Sequence, residues 1–209
     1  MKAQKFVNYN SQTAIVNLPH TKYVDKVLRS SSFEELRELF INAESPAKEI
    51  SESYAAFSNL KKVCNVSDST WLHIGDGGWS RTAAIFTFFS KSVNYSIDPA
   101  ISPRINDWVE KWKVLRFCAL KMKYENFQLV NNPFSFNICC VHAHVDLAEV
   151  DQHFPNWTYL YSNPCCMPSK QVFSKEYLRD NNIELIVQRT DLGILSEKRE
   201  VYIYKKNKI

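Results

Sequence analysis

Apolar positions follow two kinds of spacing along the chain. Near the N-terminus, SFEELRELFINAE sets Leu36, Leu39 and Phe40 at helical intervals behind Ser32, and Glu35, three residues after that serine, completes a capping-box pattern. Ser45-Pro46 then opens a second helix that runs to about Val63, with Pro46 at the first helical position. Beyond it, short β-rich apolar runs at 71–74, 93–97, 127–130, 136–145, 157–161, 183–187 and 201–204 alternate with helical segments at 81–90, 103–120, 147–153 and 175–181.

Strands separated by helices need crossover connections, so the early strands are expected to be parallel and buried on both faces. Between the last two runs, residues 188–199 hold a turn rather than a helix, which predicts an antiparallel hairpin. The expected architecture is α/β: a mostly parallel seven-stranded sheet with a C-terminal antiparallel hairpin and extra N-terminal helices. Residues 1–44 read as an N-terminal extension with a helix and a short strand at 13–18, and residues 45–209 as the main domain, the whole forming one compact unit.

Composition narrows the class. The 209 residues are 45% hydrophobic and 23% charged, ordinary globular values, and no apolar run reaches the length a membrane span needs. The N-terminus lacks the apolar stretch of a secretory signal, so the expectation is a soluble, intracellular, cytoplasmic protein with no membrane partner. Six cysteines include two adjacent pairs in hydrophobic runs, which read as thiols of a reducing compartment rather than a disulfide framework. A net charge of +4, concentrated in the tail from Lys198 to Lys208, permits an anionic partner such as RNA without demanding one.

The chain has four glycines, and three of them fall within Gly75, Gly77 and Gly78 of TWLHIGDGGWSRTAAIF. A strand ending in a glycine-rich turn that opens into a helix brings bare backbone and free helix N–H groups to the carboxyl edge of a sheet, where open α/β sheets bind ligands. Asp98, ending the next strand, stands where an acidic residue hydrogen-bonds ribose hydroxyls in nucleoside-binding sheets. The turn is not G-x-G-x-x-G, and Asp76 inside it would repel phosphate while suiting a cationic amino-acid or sulfonium group. That combination points to S-adenosylmethionine; the plainer reading is a tight turn, with Asp98 an ordinary turn or cap residue.

With that motif, the sequence resembles the class I S-adenosylmethionine-dependent methyltransferases over about residues 45–209, in order and spacing more than in identity. Gly77-Gly78-Trp79-Ser80 and Lys198-Arg199-Glu200-Val201-Tyr202-Ile203-Tyr204 look closer to the FtsJ-like ribose 2'-O-methyltransferases, which include viral cap-modifying enzymes. That family uses a Lys-Asp-Lys-Glu tetrad. Glu200 matches its glutamate by position; Lys61 and Lys62 lie a turn late for the first lysine, Asp146 lies slightly beyond the expected aspartate, and Lys170 is the next lysine after the fifth strand. HAH and NPCC also resemble half of a second signature within the class, a His-x-Cys-Gly motif paired with Pro-Cys-Cys, here without the Cys-Gly.

If the fourth strand runs through 145, Cys140, His142, His144 and Asp146 share one face, and the fifth strand brings Cys165 and Cys166 alongside. Three readings stay open: a metal site, which the absence of C-x2-C or H-x3-H spacing leaves unassigned; a histidine at the mouth of the crevice that binds substrate or accepts a proton; or packing alone. Asn163-Pro164 resembles the Asn-Pro turn with which amino-methyltransferases hold a planar nitrogen, one strand late. Trp79 has a positional argument for stacking a base, whereas Trp108 and Trp112, at i and i+4, read as core.

The expected function is S-adenosylmethionine-dependent methyl transfer, with RNA, a cap at N7 or 2'-O included, as substrate. Gly75, Asp76, Gly77, Gly78, Trp79 and Asp98 would hold the cofactor; His142, His144, Asp146, Glu200 and Lys62 would serve catalysis, and Asn163 and Lys170 the substrate. A non-catalytic module of the same fold that binds a protein or RNA partner, or works within a larger polyprotein, is the alternative, and a nicotinamide-dependent oxidoreductase comes third.

Overall fold

The computed structural model describes residues 21–129 and 135–207. The strand expected at 13–18, and Val130 and Phe134, lie outside the described residues.

Three helices precede the first strand: α1 (Lys22–Leu28), α2 (Phe33–Ile41) and α3 (Pro46–Leu60). They are followed by β1 (Thr70–Ile74), α4 (Arg81–Phe89), β2 (Val93–Ile97), α5 (Arg104–Trp112), β3 (Phe117–Leu120), β4 (Phe136–Val141), α6 (Leu147–His153), β5 (Trp157–Asn163), α7 (Lys175–Asp180), β6 (Ile183–Thr190) and β7 (Glu200–Lys206). The strands form one seven-stranded sheet in the order β3-β2-β1-β4-β5-β7-β6. Pairings from β3 through β5 are parallel, and β7 runs antiparallel to both β5 and β6. The mostly parallel sheet with a closing antiparallel hairpin is the architecture that the alternating apolar runs predict.

Helices cover both faces, as parallel strands require. Trp71 of β1 points toward α1–α4, into a core that holds Leu36, Phe40, Phe57 and Phe86, while its neighbours Leu72 and Ile74 face Leu147, Leu160 and Phe173 on the side of α6 and α7. The N-terminal helices belong to the first of these cores through Tyr23, Val27, Leu36, Leu39 and Phe40, all buried.

Several elements depart from expectation. The helix expected over 103–120 stops at Trp112, where Lys113 takes a left-handed φ of 51°, and Phe117–Leu120 instead becomes β3 alongside β2. The strand expected at 127–130 is absent from its described residues: a single 3-10 turn occupies Tyr124–Asn126, and Phe127 packs against Tyr95 and Phe154. Ser32 precedes α2 but makes no side-chain cap bond. Helix α1 lies in a stretch that the sequence leaves irregular. Among the described residues, no helix is long and apolar enough to cross a membrane, and all six cysteines are free thiols.

Candidate functional site

The chain winds outward from β1 in one direction to β2 and β3, and from β4 in the other to β5, so the order reverses between β1 and β4. At such a switch point the connections leaving the carboxyl ends diverge and open a crevice. The residues that shape it come mostly from the turn between β1 and α4.

Two glycines in that turn adopt left-handed backbone, Gly75 with φ 68° and Gly77 with φ 70°. Gly75 is also pressed against the β4–α6 connection: a Cβ there would lie 2.7 Å from Cβ of Ala143 and 3.0 Å from its Cα, whereas a Cβ on Gly77 would meet nothing within 4 Å. The turn is fastened by carboxylates. Asp76 accepts hydrogen bonds from the Thr82 and Ala83 amides at 2.9 and 3.0 Å and from Oγ of Ser96 at 3.0 Å, so it caps α4 from outside the helix. Burial raises its pKa to about 6 against the pull of those bonds. Asp98 accepts from the Gly77 amide at 3.0 Å and the Ala100 amide at 2.7 Å, which ties the ends of β1 and β2 together.

A cavity of about 340 Å³ opens over this turn, bounded by residues 75–79, by Lys48, Glu49 and Glu52 of α3, and by His142. Glu52 is 3% exposed. Its Oε1 has Nδ1 of His142 at 3.5 Å and Nζ of Lys48 at 3.8 Å, yet no hydrogen bond; Nε2 of His142 is likewise buried without a partner among the described residues. Burial pushes the Glu52 carboxyl up to about 7, and burial together with Lys48 lowers the His142 imidazole. At neutral pH the site therefore offers an uncharged imidazole and a carboxyl poised between its two forms. A polar ligand in this cavity would meet the Glu52 and His142 side chains among its bounding residues.

A second cavity, of about 490 Å³, adjoins the first and shares Lys48 and His142 with it; Cys165, Cys166 and Lys198 line its far side. The face expected of Cys140, His142, His144 and Asp146 does not form, because β4 ends at Val141 and His142 turns into the left-handed region with φ 49°. Cys140 stays in the core, its thiol pushed up to about 12 by burial. His144 swings instead toward Cys166, its Nε2 3.3 Å from Sγ. At Cys165, burial raises the thiol, but hydrogen bonds from Gln171 and the following backbone outweigh it and hold the thiol below its ordinary range.

The remaining expected residues divide. Gly75, Asp76, Gly77, Gly78, Trp79 and His142 meet at the first cavity, and Asp98 braces it from behind without lining it. Trp79 stacks on Trp108 with ring centroids 5.3 Å apart, and Trp108 in turn on Trp112. Asn163 is buried, its Nδ2 donating to the carbonyls of Lys198 and Glu200, so its amide binds backbone of the hairpin. Asp146 caps α6 through the Ala148 amide. Glu200 does open the final strand, but its side chain is exposed, as is that of Lys170. Lys62 lies past the end of α3, among Arg189, Asp191 and Lys22. None of Lys62, Asp146, Lys170 and Glu200 lines either cavity, so the tetrad arrangement does not assemble there. Sequence reasoning passed over Lys48 and Glu52. No signal in the sequence marked them, since a lysine and a glutamate four apart on a helix ordinarily form an exposed pair.

No protein-family model and no curated protein sequence matches the chain. Solved structures do match in shape. The magnesium protoporphyrin IX methyltransferase of Synechocystis, with SAH bound, superposes with a TM-score of 0.53 at 9% identity, covering 89% of this chain and 99% of that one. A putative RNA methyltransferase from Pyrococcus horikoshii gives 0.53 at 10%, covering 91% and 98%, and a SAM-dependent methyltransferase from Leishmania major gives 0.51 at 11%, covering 83% and 81%. The protein has the Rossmann-like fold of the class I methyltransferases.

Proposed function

We propose that this protein is an S-adenosylmethionine-dependent methyltransferase that acts on RNA, capped RNA included. The observation that carries the reading is the glycine turn at the β1/β4 switch point, which opens onto a cavity with carboxylates on one wall. Glu49 and Glu52 suit an ammonium or sulfonium group, and Lys48 beside them suits a carboxylate, which is the charge pattern of an amino-acid terminus. The bound cofactor would supply an electrophilic methyl group for direct transfer. The chain's own part is positioning: the turn leaves backbone bare, α3 sets the charges, and His142 bounds both cavities.

RNA as acceptor is supported by Lys198 on the second cavity and by the likeness of fold to a putative RNA methyltransferase. Because the four tetrad candidates lie away from the cavities, a ring nitrogen such as cap N7, which needs no general base, suits the site better than a ribose hydroxyl; for a hydroxyl, the uncharged imidazole of His142 is the group placed to take the proton.

Calorimetry with S-adenosylmethionine and S-adenosylhomocysteine tests the first half, and an absence of heat at high ligand concentration removes the enzyme reading in favour of a binding module. Affinity is expected to rise between about pH 6 and 7.5, as Glu52 ionises to meet a cation while the ligand's α-amino group is still protonated. Transfer of tritium from labelled cofactor to RNA tests the second half, and comparison of capped with uncapped RNA tells whether the cap is the acceptor; no transfer to either would overturn RNA as substrate.

A further inference from the structure

Beside the proposed cofactor cavity, the β4–α6 and β5–α7 connections bring three soft ligand atoms together. Nε2 of His144, Sγ of Cys165 and Sγ of Cys166 all lie within 4.8 Å of one another, with His144 to Cys166 at 3.3 Å and Cys165 to Cys166 at 3.6 Å. Around one tetrahedral zinc, with bonds of about 2.3 Å to sulfur and about 2.0–2.1 Å to nitrogen, two sulfurs stand about 3.8 Å apart and a sulfur and a nitrogen about 3.5–3.6 Å. Two edges of the tetrahedron are thus within a few tenths of an ångström of the required lengths before any ion is added.

The cluster is also held from behind. Gln171, 2% exposed, accepts from the Cys165 amide at 2.7 Å, donates to the carbonyl of Ala143, and has Nε2 3.5 Å from the Cys165 sulfur, so one buried side chain fastens both ligand-bearing loops. The Ser162 hydroxyl donates to the Gln171 carbonyl at 2.7 Å, and the His142 amide to the Asn163 carbonyl at 3.0 Å, fixing the two connections where they leave the sheet. Such supporting bonds orient metal ligands in built sites.

We infer that His144, Cys165 and Cys166 form a binding site for zinc or a similarly soft divalent ion, with three protein ligands. Binding would release the two thiol protons and leave the fourth position to water or to an oxygen or nitrogen donor arriving from the second cavity, which Cys165 and Cys166 line. A three-ligand site with one exchangeable position differs from a closed structural site in that it can take an exogenous ligand. The inference does not depend on methyl transfer, and its tests read the metal directly.

The experiment is a Co²⁺ titration of the chelator-stripped full chain. The expected result is thiolate-to-cobalt charge transfer and the visible bands of a tetrahedral ion at one equivalent, abolished in C165S/C166S, unchanged in C64S/C118S, and requiring roughly tenfold or more cobalt in H144A. Circular dichroism of each variant reports its folding. In the unaltered protein, zinc should withdraw two thiols from reaction with a thiol reagent, a readout that stands even where a variant fails to fold. Absence of charge transfer in the unaltered protein, its survival in C165S/C166S, or thiols that react equally with and without zinc would overturn the site.

Discussion

Glu52 and Asp191 are both buried carboxyl groups, each 3% exposed, and they titrate in opposite directions. Asp191 is surrounded by donors that outweigh its burial, whereas the Oε1 of Glu52 has none, and burial dominates. Against burial, the groups that favour its charge are the Ser196 hydroxyl, Lys48 and Arg81, with Glu49 opposing it and His142 3.5 Å away. Its folded pKa of about 7 lies above the ordinary value of 4.5, so between those values the folded chain keeps a proton that the unfolded chain has lost, and stability falls as pH rises. Glu52→Gln is therefore expected to be more stable than the parent at pH 8, by about 3 kcal/mol, with the difference gone below about pH 4.5; urea melts across that range measure it. This residue was not legible in advance. A glutamate on a helix normally faces water, and only the placement of α3 over the sheet edge makes this one inward. Asp98 and Asp76 were legible as important but not in their contacts, since a spacing pattern does not reveal which amides a carboxylate will find.

The turn from β1 to α4 is the element that the sequence displays most openly, because glycine clusters where backbone has to do what side chains forbid. The two left-handed glycines are not equivalent. Gly75→Ala adds collision with Ala143 to backbone strain, while Gly77→Ala adds strain alone. The first is expected to destabilise by at least about 1 kcal/mol more than the second in denaturant unfolding, and equal losses would mean the close approach to Ala143 is unimportant. Strands β1, β2, β4, β5 and the hairpin were readable as apolar runs, though not all at their full bounds. The confusion at 103–120 has a local cause: Trp108, Trp112 and the apolar residues that follow keep helical spacing past the point where Lys113 breaks the helix, and FCAL is too short to announce itself as a strand. The β4 boundary failed for a related reason, since HAHVD alternates like a strand although His142 already turns away.

At the scale of the molecule, Asp191 fastens the start of the described chain to the connection between β6 and β7. Just past β6, it accepts from the hydroxyl of Tyr23 at 2.6 Å, Nδ2 of Asn59 at 2.8 Å and the Gly193 amide at 2.9 Å, and it pairs with Lys22 at 3.3 Å. Although burial opposes it, these donors hold the carboxyl at about 2 against an ordinary 3.8. The stabilisation is present above 3.8 and is lost as pH falls toward 2. Asp191→Asn should destabilise the protein by about 2 kcal/mol at pH 7 and match the parent near pH 2, and thermal melts at both pH values check this. The same contact ties α1, in the N-terminal extension, to the connection between β6 and β7.

Lys48 and His142 stand in the partition between the two cavities. A partition with side chains common to both rooms makes their tenants thermodynamically reciprocal: whatever factor an occupant of one adds to the grip on the other, it receives in return.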